Sequence, residues 1–138
     1  MERFTSLHYN IILFVFAFQH VGIVVSSSME PVLYKGDIVL LESNPSSIEV
    51  EDIIVYHAAW LNSEPVIHRV IAKGRSSNGE DYYLTKGDNN PFQDPMKVYP
   101  NEVISKVVKI SNKPLIIPKL GYINMRIHAI KQQFKLPG

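Results

Sequence analysis

Three consecutive hydroxyls, Ser26-Ser27-Ser28, run into Met29-Glu30-Pro31 where the most apolar stretch of the chain ends. A serine hydroxyl is a weak nucleophile until a base within hydrogen-bond reach takes its proton. Imidazole, with an ordinary pKa of about 6.5, suits that task at neutral pH. Of the 5 histidines, His68 stands apart, because it lies with Arg69 inside the apolar run Val66-Ile67-His68-Arg69-Val70. His8 and His20 fall in the apolar N-terminal region, His128 in the tail, and His57 in a strand-like run without polar company. An imidazole base works best when a third group fixes its tautomer and stabilises the imidazolium. Two acids qualify: Asp88 in Lys86-Gly87-Asp88-Asn89-Asn90, and Asp94 in a proline-broken loop. Each of these features also has an ordinary structural reading. Serine triplets and Gly-Asp-Asn-Asn sequences favour caps and turns, and a lone strand histidine is more often structural than reactive. The apolar segment before Ser26 and the Met-x-Pro after Ser28 raise the chemical reading above the structural one.

These residues must be held by a small frame. A chain of 138 residues forms one domain with appendages. Its 46% hydrophobic and 20% charged residues are ordinary for a globular protein. A net charge of +1 supplies no basic stripe for nucleic acid, so no nucleic-acid partner is expected. The absence of cysteine excludes disulfides, thiolate catalysis and Cys-based zinc sites. Neither a metal nor an organic cofactor is required by this chemistry.

Residues 11–25 form the longest apolar run, interrupted at Gln19 and His20. A bilayer span needs roughly 20 apolar residues, so the run is a short one. It is expected to be a retained membrane-anchor helix rather than a cleaved leader, since cleavage at the small residues would remove the serine motif. Two apolar stretches within 32–42 flank a Gly36-Asp37 turn, and 43–47 is a dense turn cluster. Runs rich in Val, Ile and Tyr predict strands over 52–60, 65–72, 82–85 and 103–110, with a hairpin loop at 74–79. Pro91, Pro95 and Pro100 make 89–101 a loop. The expected fold is therefore mainly β, an antiparallel barrel or sandwich. Leu120, Ile123, Ile127, Ile130 and Phe134 recur at helical spacing, which predicts a short C-terminal amphipathic helix. The resulting division is 1–25 for tail and anchor, 26–112 for the catalytic β-domain and 113–138 for the amphipathic tail.

The S-x-S-M-x-P box at 26–31, the Gly36-Asp37-Ile38-Val39 turn, the His68-Arg69-Val70 segment, the Gly87-Asp88-Asn89 box and Asp94 occur in one order. In order and spacing they resemble type I signal peptidases of the histidine branch, found in archaea and in the eukaryotic endoplasmic reticulum. Bacterial members carry lysine where His68 stands. Lys73 lies five residues further on, at an odd spacing that puts it on the other face of a regular strand.

The resemblance implies that Ser28 is the nucleophile, His68 the base and Asp94 the triad-like acid. It leaves Asp88 to support the site or shape its loop. Oxyanion donors would be the Ser28 backbone N–H and the Ser26 hydroxyl. One residue departs from the pattern: Ser27 stands where glycine is usual, and a positive φ there would strain a serine. The resemblance further implies a membrane-anchored serine endopeptidase, single-pass in the cell or endoplasmic-reticulum membrane, with its β-domain on the non-cytoplasmic side. Its partners would be membrane lipid and preprotein signal peptides, cut after small residues and bound by strand addition. Two rivals are a non-catalytic anchored β-module, such as an accessory subunit, and a self-cleaving repressor protease, which would need a DNA-binding domain and a lysine base.

Overall fold

A computed structural model describes residues 20–118. Nine strands follow in chain order: β1 (His20–Ile23), β2 (Ile38–Ser43), β3 (Ile53–Ala58), β4 (Glu64–Arg75), β5 (Asp81–Lys86), β6 (Val103–Val107), β7 (Lys109–Ile110), β8 (Lys113–Pro114) and β9 (Ile116–Ile117). Seven of them form one sheet in the order β1-β2-β6-β3-β4-β5, with β9 also paired to β2, and β7 and β8 form a small separate ribbon. Every pairing between strands is antiparallel.

The expected mainly antiparallel β fold is present. Successive side chains of a strand point to opposite faces, and β3 shows what this does here. Ile53 packs with Val24, Met29, Leu33, Val39, Leu41 and Val107. Its neighbour Ile54 packs with Ile48, Tyr56, Ala58, Val70, Tyr83 and Val98. The sheet is thus covered on both faces around β3, and two apolar clusters sandwich the strand that lies beside His68.

The end of the apolar run at 11–25 differs from expectation. His20–Ile23 is a strand in register with β2, His20 opposite Leu41 and Ile23 opposite Ile38, and not the end of a helix. Val21 and Ile23 are β-branched residues that suit a pleated surface. Gly22 lets the strand lie close: a Cβ there would meet Leu41 Cδ1 at 2.9 Å. The rest of the expected anchor, and the amphipathic helix expected in the tail, lie outside the described residues. Among the described residues no helix is long and apolar enough to cross a membrane. Because β1 and β9 belong to the main sheet, that sheet reaches past the expected limits of 26 and 112 at both ends.

Two expected boundaries also move. Gly74 and Arg75 stay in β4, opposite Tyr82 and Asp81, so the hairpin turn is tighter than 74–79 and relies on Gly79 at φ 85°. The run 103–110 breaks at Val108, whose N–H bonds Leu40 O at 2.9 Å. Beyond it, Ser111 and Asn112 take φ of 52° and 62° and close the β7–β8 hairpin, the two-residue geometry that matches strand twist.

Long β4 positions the site. Its first part, Glu64 to Arg69, pairs with β3, and its second, Arg69 to Arg75, pairs with β5. His68 sits one residue before that handover, where β4 is not yet paired with β5.

Candidate active site

The serine motif folds into a tight turn plugged into the core by its apolar members. Met29 and Leu33 are fully buried, and the N–H groups of Val32 and Leu33 both donate to Met29 O at 3.0 Å. Ser28, next to the buried methionine, is left half-buried at the rim. Its Oγ lies 3.1 Å from His68 Nε2. His68 is buried, and its Nδ1 lies 2.7 Å from Asp94 Oδ2. Ser28, His68 and Asp94, far apart in the chain, therefore form one continuous line of hydrogen bonds.

Asp94 has more partners than the imidazole. Tyr56 OH donates to its Oδ2 at 2.7 Å and Thr85 Oγ1 at 2.6 Å. The loop is fixed from the backbone too, since Asp94 N–H donates to Thr85 O at 2.8 Å. Burial by itself pushes the Asp94 carboxyl up; hydrogen bonds from His68, Thr85 and Tyr56, with the charge of the imidazole, outweigh it and hold the carboxyl below its ordinary value. Burial pushes the Tyr56 phenol far above its usual range, so it remains a donor. An ionised carboxylate only accepts hydrogen bonds. His68 Nδ1 therefore donates to Asp94, and Nε2 faces the Ser28 hydroxyl.

Asp88 is placed differently from Asp94. Its carboxylate takes two bonds from Arg69, Nε to Oδ1 at 2.9 Å and Nη2 to Oδ2 at 2.8 Å. The hydrogen bond to Asp88, ahead of the opposing effect of burial, holds the Arg69 guanidinium above its ordinary value. Asn89, beside Asp88, grips the backbone of the serine turn: its N–H donates to Ser28 O at 2.8 Å and its Nδ2 to Ser27 O at 3.1 Å.

Ser26 Oγ lies 3.0 Å from Ser28 Oγ on the exposed side. Ser27 is absent from the residues with positive φ, which in the described chain are Asn44, Glu51, Asn62, Ser63, Ser111, Asn112 and two glycines. A serine is therefore accommodated at 27 without left-handed strain. Lys73 is exposed and reaches Glu49 at 3.4 Å. His57 is exposed as well, but it has polar company after all: its Nδ1 lies 3.0 Å from Ser63 O. Tyr56, Thr85 and Asn89 are the members of the site that the sequence did not single out. The strand hydroxyls of Tyr56 and Thr85 look like ordinary β residues, and only the Gly-Asp-Asn turn around Asn89 carried a signal.

A cavity of about 330 Å³ opens beside Ser28 and His68, walled by Ser26, Val25, Trp60, Leu61, Val66 and Ile67 among others. A second of about 280 Å³ adjoins it through Val25, Pro65, Val66 and Ile67, and adds Gly22, Ile23, Val39, Leu41 and Val55. Apolar walls beside a serine–imidazole pair suit a small aliphatic ligand segment more than a charged one.

Residues 3–74 match the signal peptidase family, peptidase S26. The chain belongs to that family. It is 30% identical to an uncharacterized protein of Methanocaldococcus jannaschii, over 77% of this chain and 82% of that one. It is 36% identical to the signal peptidase complex catalytic subunit of Clavispora lusitaniae, over 75% of this chain and 62% of the relative. With the corresponding subunit of Saccharomyces cerevisiae it shares 32% identity, over 84% of this chain and 71% of the relative. The chain thus spans a little under two thirds of the Clavispora subunit. Within the peptidase S26 family it stands in the histidine branch, with His68 where bacterial members carry lysine.

Proposed function

We propose that this chain is a serine endopeptidase that removes signal peptides from secretory preproteins, with Ser28 as nucleophile, His68 as base and Asp94 as the acid behind it. The observation that carries the reading is the line from Ser28 Oγ through His68 to Asp94, with links of 3.1 and 2.7 Å. In this reading Nε2 takes the Ser28 proton as Oγ attacks the scissile carbonyl. The imidazolium, held by Asp94, then gives that proton to the leaving amine, and the signal peptide remains as an ester on Ser28. Water enters, His68 removes its proton, and the ester is hydrolysed. The negative oxygen of each tetrahedral intermediate takes donors from the Ser28 N–H and the Ser26 hydroxyl.

The stretch of β4 before Arg69, which is not paired with β5, supports binding of the preprotein as an added strand, its small side chains resting in the apolar cavities. The fungal relatives are named as catalytic subunits of a signal peptidase complex. By extension, the proposal places this β-domain on the non-cytoplasmic side of a membrane, in contact with lipid and accessory subunits. The rival reading of a non-catalytic module leans on Ser27 and on the short apolar run; the φ of Ser27 is not positive, which weakens the first of these two grounds.

The test is cleavage of a preprotein by the purified full-length chain in detergent. The parent should shorten it at a small residue, and Ser28→Ala should leave it intact while melting within a few degrees of the parent. Undiminished cleavage by Ser28→Ala would remove Ser28 from the mechanism.

A further inference from the structure

We infer that Tyr56 and Thr85 are positioning residues of the reaction: their hydroxyls lock Asp94 against His68 and set how tightly it holds the imidazolium. The inference rests on the proposed reading of Ser28, His68 and Asp94, and goes beyond it to two residues outside that set.

Three donors converge on one atom, Asp94 Oδ2: His68 Nδ1 at 2.7 Å, Tyr56 OH at 2.7 Å and Thr85 Oγ1 at 2.6 Å. Thr85 has one hydroxyl proton, and the contact to Asp94 claims it ahead of the longer 3.3 Å contact to Tyr56 OH. Tyr56 comes from β3 and Thr85 from β5, the two strands that flank the strand of His68. Both are 1% exposed, so water has little room to replace a lost hydroxyl. A packing role alone would ask only that Asp94 be satisfied somewhere; here both hydroxyls compete with the imidazole for the same oxygen.

That competition has a direction. Each donor draws charge from Oδ2, which weakens the hold of the carboxylate on the imidazolium. With one hydroxyl removed, Asp94 holds the imidazolium more tightly, and the neutral base is available only at higher pH. The other ionisable groups nearby are the same residues in parent and variants. Arg69 and Asp88 pair with each other, Lys86 Nζ bonds Gly87 O at 3.1 Å, and His57 lies exposed at Ser63 O. Glu30 on the nucleophile turn is likewise unchanged between parent and variant, so a difference between them reports the missing hydroxyl.

The experiment is kcat/KM against pH for the full-length chain in detergent, with Tyr56→Phe, Thr85→Val and Thr85→Ser beside the parent. The acid limb should move up by roughly 0.5–1 pH unit in the first two, with KM changed less than about twofold, and Thr85→Ser should return to the parental profile. Replacing Tyr56 by 3-fluorotyrosine keeps the shape and strengthens the donor, so the limb should move the other way. That replacement decides the matter if the truncated variants do not fold. Limbs that coincide with the parent in the folded variants would overturn the inference and leave the hydroxyls a packing role. Should the parent itself fail to cleave, the proposed function falls, and ¹H–¹⁵N titration of the His68 ring in the same proteins still reads the shift or its absence.

Discussion

Arg69 and Asp88 meet through two parallel charge-assisted bonds, at 2.9 and 2.8 Å, that tie β4 one residue past His68 to the loop that grips Ser28. Arg69 is anchored on a second side by Nη1 to Glu51 O at 2.9 Å. The pair touches neither Ser28 nor His68 through its charged atoms. It joins the strand of His68 to the Gly87–Asn89 loop, whose Asn89 bonds Ser28 O and Ser27 O. Such a brace governs the spacing of Ser28 and His68 from behind.

Asp88 and Asp94 should therefore respond differently to amide substitution. Asp88→Asn loses one of two charge-assisted bonds at a partly buried site, a cost of about 1–3 kcal/mol, and should lower the melting temperature by several degrees along with turnover. Asp94→Asn removes the anion behind the imidazolium, an effect of about 10⁴-fold on kcat in a comparable triad, with a smaller effect on KM. Melts and cleavage assays on both variants decide the matter. If Asp88→Asn melts like the parent yet is inactive, while Asp94→Asn cleaves, the two roles are exchanged.

His68→Lys should be as inactive as His68→Ala, although bacterial family members use lysine. A lysine base must shed its proton near neutral pH, which requires desolvation without a neighbouring anion. At position 68 the ammonium would be buried against Asp94, whose carboxylate favours the charged form. Cleavage by His68→Lys approaching the parental rate would show that Asp94 does not act on this position.

Gly87→Ala should reduce kcat by about 10²-fold or more, on the scale of small misplacements of reacting groups. Its φ is not positive, so the cause is space. A Cβ at position 87 would stand 2.7 Å from Ser28 O, a backbone atom, and 2.7 Å from Asn90 Nδ2. The side chain of Asn90 can yield, but the Ser28 carbonyl cannot move without turning Ser28 away from His68. A Gly87→Ala variant with parental kcat would show that the loop relaxes freely.

Acid should destabilise the protein through Asp94. Its carboxyl is held below the ordinary value in the folded chain, so the unfolded chain takes up the proton first, at a pH of about 3.9. The stabilisation is therefore complete above that value and is lost as pH falls towards the folded value. Denaturant midpoints between about pH 6 and pH 3 should fall for the parent and fall less steeply for Asp94→Asn. Parallel curves for the two proteins would mean that another carboxylate dominates acid unfolding.

The alternation of Val, Ile and Tyr around polar turns dictated an antiparallel β fold, since period-2 burial leaves few other ways to cover those faces. Residue type marked His68 as the candidate base, while Ser28 and the two aspartates were singled out by the order and spacing of motifs that resemble those of signal peptidases. Local pattern could not say that His20–Ile23 joins the sheet, since an apolar run reads alike as helix or buried strand, and pairing with β2 settles it. Nor could it divide the work of the acids. Asp88 and Asp94 sit in similar turn-forming sequence, and what separates them is which side chain each meets: Arg69 for the first, His68 with Tyr56 and Thr85 for the second. Those meetings join residues from different strands and loops, and so depend on the register of the antiparallel sheet and on how its loops pack, which no one segment sets by itself.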